Sequence, residues 1–180
     1  MEFVILGLLM IRHLTQYDIK NALQRKVSPF FSASLGSIQA ALKKLESNGH
    51  VDLEEVTENG RRKKIYSLNP LGRQYFMDWM LSAIAPGRLE QDVTTRLFFL
   101  GLMPPQDRQS IIKAVIAHLE VSVHTFETGY EEVSPKEIPA HLKEVVKFQL
   151  KTLELGLFYH QSMFAWFKGL LAELEADDEA

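Results

Sequence analysis

Cysteine is absent from this 180-residue chain, which excludes a disulfide framework, a thiolate metal site and a cysteine nucleophile. The absence fits a reducing compartment, and the cytoplasm is the expected location. Long apolar runs are lacking too: the stretch over residues 3–11 is too short to span a bilayer. Glu2, not a basic segment, precedes it, so neither a signal peptide nor a membrane helix is expected, and no membrane partner. Six histidines (His13, His50, His118, His124, His141, His160) show no metal-binding spacing, and no glycine-rich phosphate loop or serine nucleophile elbow occurs. Glu131 and Glu132 are adjacent in sequence, and adjacent helical residues do not face one another. No metal, no cofactor and no catalysis are expected: the chain reads as a non-enzyme.

What is there is an ordinary globular composition, 46% hydrophobic and 24% charged, long enough for two small domains. The boundary is expected at Pro86-Gly87, dividing the chain into 1–85 and 88–180. Formal net charge is only -3, yet residues 1–79 carry 11 Lys and Arg against 8 Asp and Glu, while 80–180 carry 9 against 15. A basic first half points to a nucleic-acid surface there and to something else in the second half.

The basic excess gathers around residues 35–48, LGSIQAALKKLESN. Leu35, Ile38, Ala41, Leu42 and Leu45 recur at helical spacing and predict a buried stripe, which turns Gly36, Ala40, Lys43 and Ser47 outward. That outer face is small, polar and basic, flanked by Ser37, Gln39 and Lys44. It could approach another surface closely, and a DNA major groove admits such a helix.

In chain order, residues 3–12 predict a helix covered on most sides. Thr15 and Asp18 have capping-box spacing and open a second helix to about Lys26, ended by Ser28-Pro29. Ser32 or Ser34 caps the third helix, and Asn48-Gly49 stops it. Residues 50–68 switch to strand periodicity around Asn59-Gly60 and predict a β-hairpin carrying Arg61, Arg62, Lys63 and Lys64. Three helices then a hairpin is the order of a winged helix-turn-helix, whose third helix enters the groove and whose hairpin reaches the phosphates. Asn69-Pro70 opens a further helix, and residues 88–103 a shorter one.

Two long helices follow. In the first, Ile112, Ile116, Leu119, Val123, Phe126 and Tyr130 step by three and four. In the second, from about residue 140 to 175, Leu150, Leu153, Leu157, His160, Phe164, Phe167, Leu171 and Leu174 do the same, and the pair should lie antiparallel. A second stripe, Leu155, Tyr159, Met163, Trp166 and Leu170, widens the apolar arc beyond one buried face. It needs a second partner, and a symmetric dimer is the commonest supplier. The acidic tail, residues 173–179, is expected to fray. The fold class is therefore mainly α with a small β-hairpin wing: an N-terminal winged helix-turn-helix and a C-terminal antiparallel helical dimerisation domain.

The stretches LGLLM, YDIKNAL, LGSIQAALKKLESNGHV and GRRKKIYSLNPLG resemble the winged-helix domain of the PadR family of bacterial transcriptional regulators. RLFFLGL and TLELGLFYHQSMFAW resemble the helical C-terminal domain of its virulence-activator-like branch. The resemblance implies a homodimeric DNA-binding regulator, usually a repressor, here of a pseudo-palindromic operator, with C-terminal helices at the dimer interface and a small-molecule effector in some members. It also implies a DNA-backbone contact at Tyr17. The chain departs from the family's pattern at Gln39, where an aromatic is usual, and at Arg62, where the wing usually has proline. Gln39 could read an adenine through its amide, so the operator cannot be borrowed from relatives.

Each assignment has a plainer counterpart. Arg61, Arg62, Lys63 and Lys64 fit phosphate contacts, or a solvated ion ladder with Glu54, Glu55 and Glu58. Tyr17 fits a DNA contact or a half-buried packing residue. His160 and Phe164 are the candidate effector residues, or simply core, with the histidine satisfied by a neighbouring carbonyl. The DNA-contact set is Tyr17, Ser34, Gly36, Ser37, Gln39, Ala40, Lys43, Lys44 and the four wing cations. The alternative function is a winged-helix protein-interaction adaptor without DNA binding.

Overall fold

Thr15 closes a reciprocal cap on α2 (Gln16–Ala22). The Asp18 N–H donates to Thr15 Oγ1 at 3.1 Å, while the Thr15 N–H and hydroxyl donate to Asp18 Oδ2 at 3.0 and 2.6 Å. The computed structural model describes residues 1–24, 34–58, 60–85, 87–133 and 138–178, and within these not the side chains of Glu58, Arg61, Val133 and Asp178. Ser28, Pro29, Ser32, Asn59, Pro86, Ser134 and Pro135 thus lie outside the described residues.

The chain divides into two compact units, 1–107 and 108–180. In the first, α1 (Glu2–Ile11) buries Val4, Ile5, Leu6, Gly7, Leu8 and Leu9 without a break, as its unalternating apolar sequence requires. Against it pack α3 (Leu35–Ser47), β3 (Arg61–Leu68) and α4 (Pro70–Leu81). Ile38, Leu42 and Leu45 of α3 and Phe76 and Met80 of α4 are fully buried. Each such side chain contributes roughly 1.5–3 kcal/mol over an exposed one.

The hairpin pairs β2 (Val51–Glu58) with β3 from Val51↔Leu68 to Glu58↔Arg61, and Gly60 takes φ +72° at the tip. The sheet has a third strand that the sequence pattern does not signal. β1 (Leu14–Thr15) pairs antiparallel with β3, giving the order β1-β3-β2. Two residues carry no periodicity of their own; only the presence of β3 makes them a strand.

The corner between α3 and β2 is a tight one. His50 N–H reaches Leu45 O at 2.9 Å and Gly49 N–H reaches Glu46 O at 3.0 Å, with Gly49 at φ +70°, the paired bonds of a Schellman stop. Asn69 ties α4 to this corner: its Oδ1 accepts the Gly72 N–H at 2.9 Å and its Nδ2 donates to Gly49 O at 2.9 Å. A Cβ on Gly72 would overlap the His50 carbonyl oxygen.

The expected boundary at Pro86-Gly87 differs from the observed division. α5 (Leu89–Phe99) belongs with the first unit because two side chains bind it there. Phe99 lies where a Cβ on Gly7 would sit, 2.6 Å from its ring, and meets Phe76 edge-on at 6.0 Å. Arg96 is 1% exposed, donates to Ser82 O at 2.7 Å and Ser82 Oγ at 3.2 Å, and lies 5.0 Å over the Trp79 ring. Burial lowers the Arg96 pKa while Asp92, one turn earlier, opposes the shift; burial likewise pushes the Asp92 carboxyl up against the pull of Arg96. The shorter helix expected over 88–103 ends at Phe99 and continues as a single 3-10 turn, Leu100–Leu102.

In the second unit α6 (Pro105–Val133) and α7 (Lys143–Asp178) run antiparallel. Lys113 pairs with Glu175 at 3.2 Å near one end, and Gln161 Nε2 reaches Glu127 Oε1 at 3.4 Å nearer the other. Gly156 admits Phe126, whose ring would lie 2.5 Å from a Cβ there. Instead of fraying from residue 173, α7 stays helical to Asp178, since glutamate and alanine are good helix formers. Among the described residues no helix is long and apolar enough to cross a membrane.

Candidate nucleic-acid interface

Ser34 caps α3 through its side chain, which accepts the Ser37 N–H at 3.1 Å, and the Ser37 hydroxyl donates back to Ser34 O at 2.9 Å. The helix it starts buries Ile38, Ala41, Leu42 and Leu45 and exposes Gly36, Gln39, Ala40, Lys43 and Ser47. Leu35, Ser37, Lys44 and Glu46 are exposed as well. A Cβ at Gly36 would meet only Ser34 Oγ, at 3.9 Å.

Two expectations for this helix need correcting. Leu35 is 49% exposed rather than buried, because it occupies the first turn, at the open end of the helix beyond the core. Lys44 does not extend the outward face but reaches α1, where its Nζ lies 2.8 Å from Glu2 Oε1. One residue past Lys43 is a 100° rotation, enough to turn the side chain from the free face toward the neighbouring helix. The hydrogen bond that Lys44 donates to Glu2 raises its pKa. Glu2 had no signal in the sequence, since its partner is 42 residues away.

The wing puts its cations on both faces. Because successive strand residues alternate, Arg62 and Lys64 continue the side of β3 that carries buried Tyr66, while Lys63 lies on the other. The ion-ladder reading holds at Lys64, 3.3 Å from Glu55. In the strand register Arg62 stands opposite Thr57 and Lys63 opposite Val56. The Arg61 side chain lies outside the described residues.

Between wing and helices lies a cleft lined by Thr15, Gln16, Tyr17, Asp18, Lys63 and Lys64. Tyr17 is 67% exposed, too open for the half-buried packing role. The Thr15 hydroxyl and then its N–H hold the Asp18 carboxyl below its ordinary value, with Arg12 and Lys63 assisting and partial burial opposing. Gln16, which the sequence reading passed over, donates from Nε2 to Leu35 O at 3.3 Å and so ties α2 to the first turn of α3. Two helices bridged in this way, the second with a lean exposed face and a cationic hairpin in the same unit, form a surface suited to a polyanion with a groove.

Residues 5–78, which contain all of these positions except Glu2, match the family described as Transcriptional regulator PadR-like family. The chain carries a PadR-like domain. Its PadR-like domain ends within α4, so α5 and the second unit lie beyond the matched residues. Over 179 residues the chain is 22% identical to Negative transcriptional regulator PadR of Bacillus subtilis (strain 168), covering 98% of each. A crystal structure of Bacillus subtilis PadR in complex with operator DNA matches at 21% identity and TM-score 0.45, over 96% of this chain and 98% of that one. The structure of smu.1604c from Streptococcus mutans UA159 matches at 25% identity and TM-score 0.45, over 95% and 98%.

Outside the PadR-like domain, α7 exposes Leu155 (67%), Tyr159 (41%) and Trp166 (54%), with Met163 and Leu170 partly covered beside them. The same helix also exposes Phe148 and Phe158. His160 is half-buried, its Nδ1 2.8 Å from Gly156 O. A carbonyl only accepts, so that nitrogen carries the proton. Its ring lies 4.8 Å from Phe126 and 5.5 Å from Tyr159. The carbonyl-satisfied reading therefore describes its Nδ1. Phe164 is half-buried and has Lys168 Nζ 5.4 Å from its ring. Among the described residues no three histidines, aspartates or glutamates are grouped to hold a metal ion.

Proposed function

We propose that this PadR-like chain acts in the cytoplasm as a homodimeric repressor, setting α3 of each protomer into the major groove of a pseudo-palindromic operator. The observation that carries the proposal is the exposed α3 face of Gly36, Gln39, Ala40 and Lys43, which no other described side chain covers. Ser34 and Ser37 shape the helix start that would point at the bases, and the wing cations and Tyr17 would hold the phosphates on either side. Lys44, whose Nζ lies 2.8 Å from Glu2 Oε1, is assigned no base. Repression is the action named for the 22% identical Bacillus subtilis relative.

The second copy is inferred from α7. Three large apolar side chains spaced by four and seven residues, Leu155, Tyr159 and Trp166, are 67%, 41% and 54% exposed, more apolar surface than a monomer comfortably shows. A two-fold dimer would cover them, and a pseudo-palindromic operator would require its two α3 helices about 34 Å apart, one turn of duplex. An effector belongs to the same proposal, with His160 and Phe164 and the rings of Phe126 and Tyr159 as its aromatic surroundings.

The test is a titration of duplex DNA over a range of salt. Phosphate contacts predict a log-linear loss of affinity, with a slope of about 0.9 per neutralised phosphate. Arg62→Ala with Lys63→Ala should reduce that slope by about 2, and Lys43→Ala should weaken binding further. A protein-interaction adaptor would show no duplex affinity and no slope.

A further inference from the structure

We infer that Gln39 is the base-reading residue of α3 and that each operator half-site carries an A·T pair whose adenine it recognises. The inference rests on α3 entering the groove and adds which base it selects there.

The polar groups on the outer side of α3 are not equally available. The Ser37 hydroxyl proton goes to Ser34 O, and Ser34 Oγ accepts the Ser37 N–H. Ser47 donates to Lys44 O at 3.0 Å, and Lys44 is held by Glu2 at 2.8 Å. Gln39 and Lys43 differ: neither has a hydrogen bond or ion pair to another described residue, and both are exposed on the same face, one turn apart. Their chemistry separates their roles. Lys43 only donates, so it suits a phosphate or a guanine edge. The Gln39 carboxamide presents a donor and an acceptor side by side in one plane, the pattern that pairs with adenine N6 and N7 in the major groove.

The surroundings of Gln39 strengthen the assignment. Gly36, one turn before, has open space where a side chain would stand, and Ala40 beside it carries only a methyl. With these two positions small, the backbone can come close, and the carboxamide is the neutral polar group reaching furthest from the first two turns. In groove-binding helices it is those N-terminal turns that meet the base edges.

The experiment selects duplexes from a random pool with the wild-type protein, then measures affinity for the best duplex and for versions with single pairs exchanged. We expect a fixed A·T pair in each half-site, and a loss of about 5- to 150-fold when it becomes G·C. Replacing that adenine by 7-deazaadenine, which lacks only the N7 acceptor, should weaken wild-type binding. Gln39→Ala should bind both duplexes alike and ignore the 7-deaza change, whereas Lys43→Ala should bind more weakly but keep the preference. A Gln39→Ala variant that retains the full A·T preference overturns the inference and leaves groove binding standing. A wild-type protein that enriches no duplex at all overturns both.

Discussion

Gly72→Ala is expected to lower the stability of the first unit by about 3 kcal/mol, the upper end of what overpacking costs. The added methyl has nowhere to go. It would meet the His50 carbonyl oxygen and also the Leu68 side chain, and a backbone oxygen cannot rotate away as a side chain can. Relief requires α4 to lift from the α3–β2 corner, which strains the Asn69 bonds to Gly49 and Gly72. His50 also stacks on Tyr75 at 4.2 Å across the same contact. A melting temperature lower by about 12 °C or more, at roughly 4 °C per kcal/mol for a unit of this size, is the expected reading in thermal circular dichroism. An unchanged melting temperature would mean that the corner is looser than described.

The second large effect is on assembly. Trp166→Asp should convert the proposed dimer to monomer, because it would put a carboxylate into an apolar seam between protomers that then could not be dried without cost. The fold of the protomer should survive, since Trp166 is 54% exposed and surface changes usually stay within about 0.5 kcal/mol. Loss of the second protomer removes the linked half-site, and affinity for a two-site operator should fall by about 100-fold or more. Sedimentation velocity and fluorescence anisotropy on the same samples read both changes. A dimer that persists in Trp166→Asp would move the interface elsewhere on the molecule.

How much of this was legible in the sequence depended on distance along the chain. Thr15 with Asp18, Asn48 with Gly49 and Asn69 with Pro70 were readable because caps and stops act over three or four residues. The lean outer face of α3 was readable for the same reason, from spacing alone. Contacts between remote residues were not. The Glu2–Lys44 pair, the two-residue β1 and the docking of Arg96 and Phe99 each depend on which elements meet, and periodicity is silent about that. Leu35 shows the same limit from the other side. Its spacing fits the buried stripe, but a stripe is buried only where a neighbour reaches it.

The wing gave an intermediate result. Four cations in a row leave two readings open, and the strand register keeps both: Lys64 pairs with Glu55, as an ion ladder requires, while Arg62 stands opposite Thr57 with no acid directly across from it. In the second unit the α7 pattern foretold an apolar face wider than α6 could cover, and Leu155 and Trp166 are indeed among its most exposed large side chains.

The fit of α3 into a groove is tested most directly by Gly36→Trp. A Cβ there meets nothing closer than Ser34 Oγ at 3.9 Å, and replacing a helical glycine removes up to about 1 kcal/mol of helix penalty, so the variant should fold at least as well as the parent. Anisotropy titration against the duplex selected by wild-type protein should then show binding abolished at an unchanged or higher melting temperature. Wild-type affinity in Gly36→Trp would contradict the account.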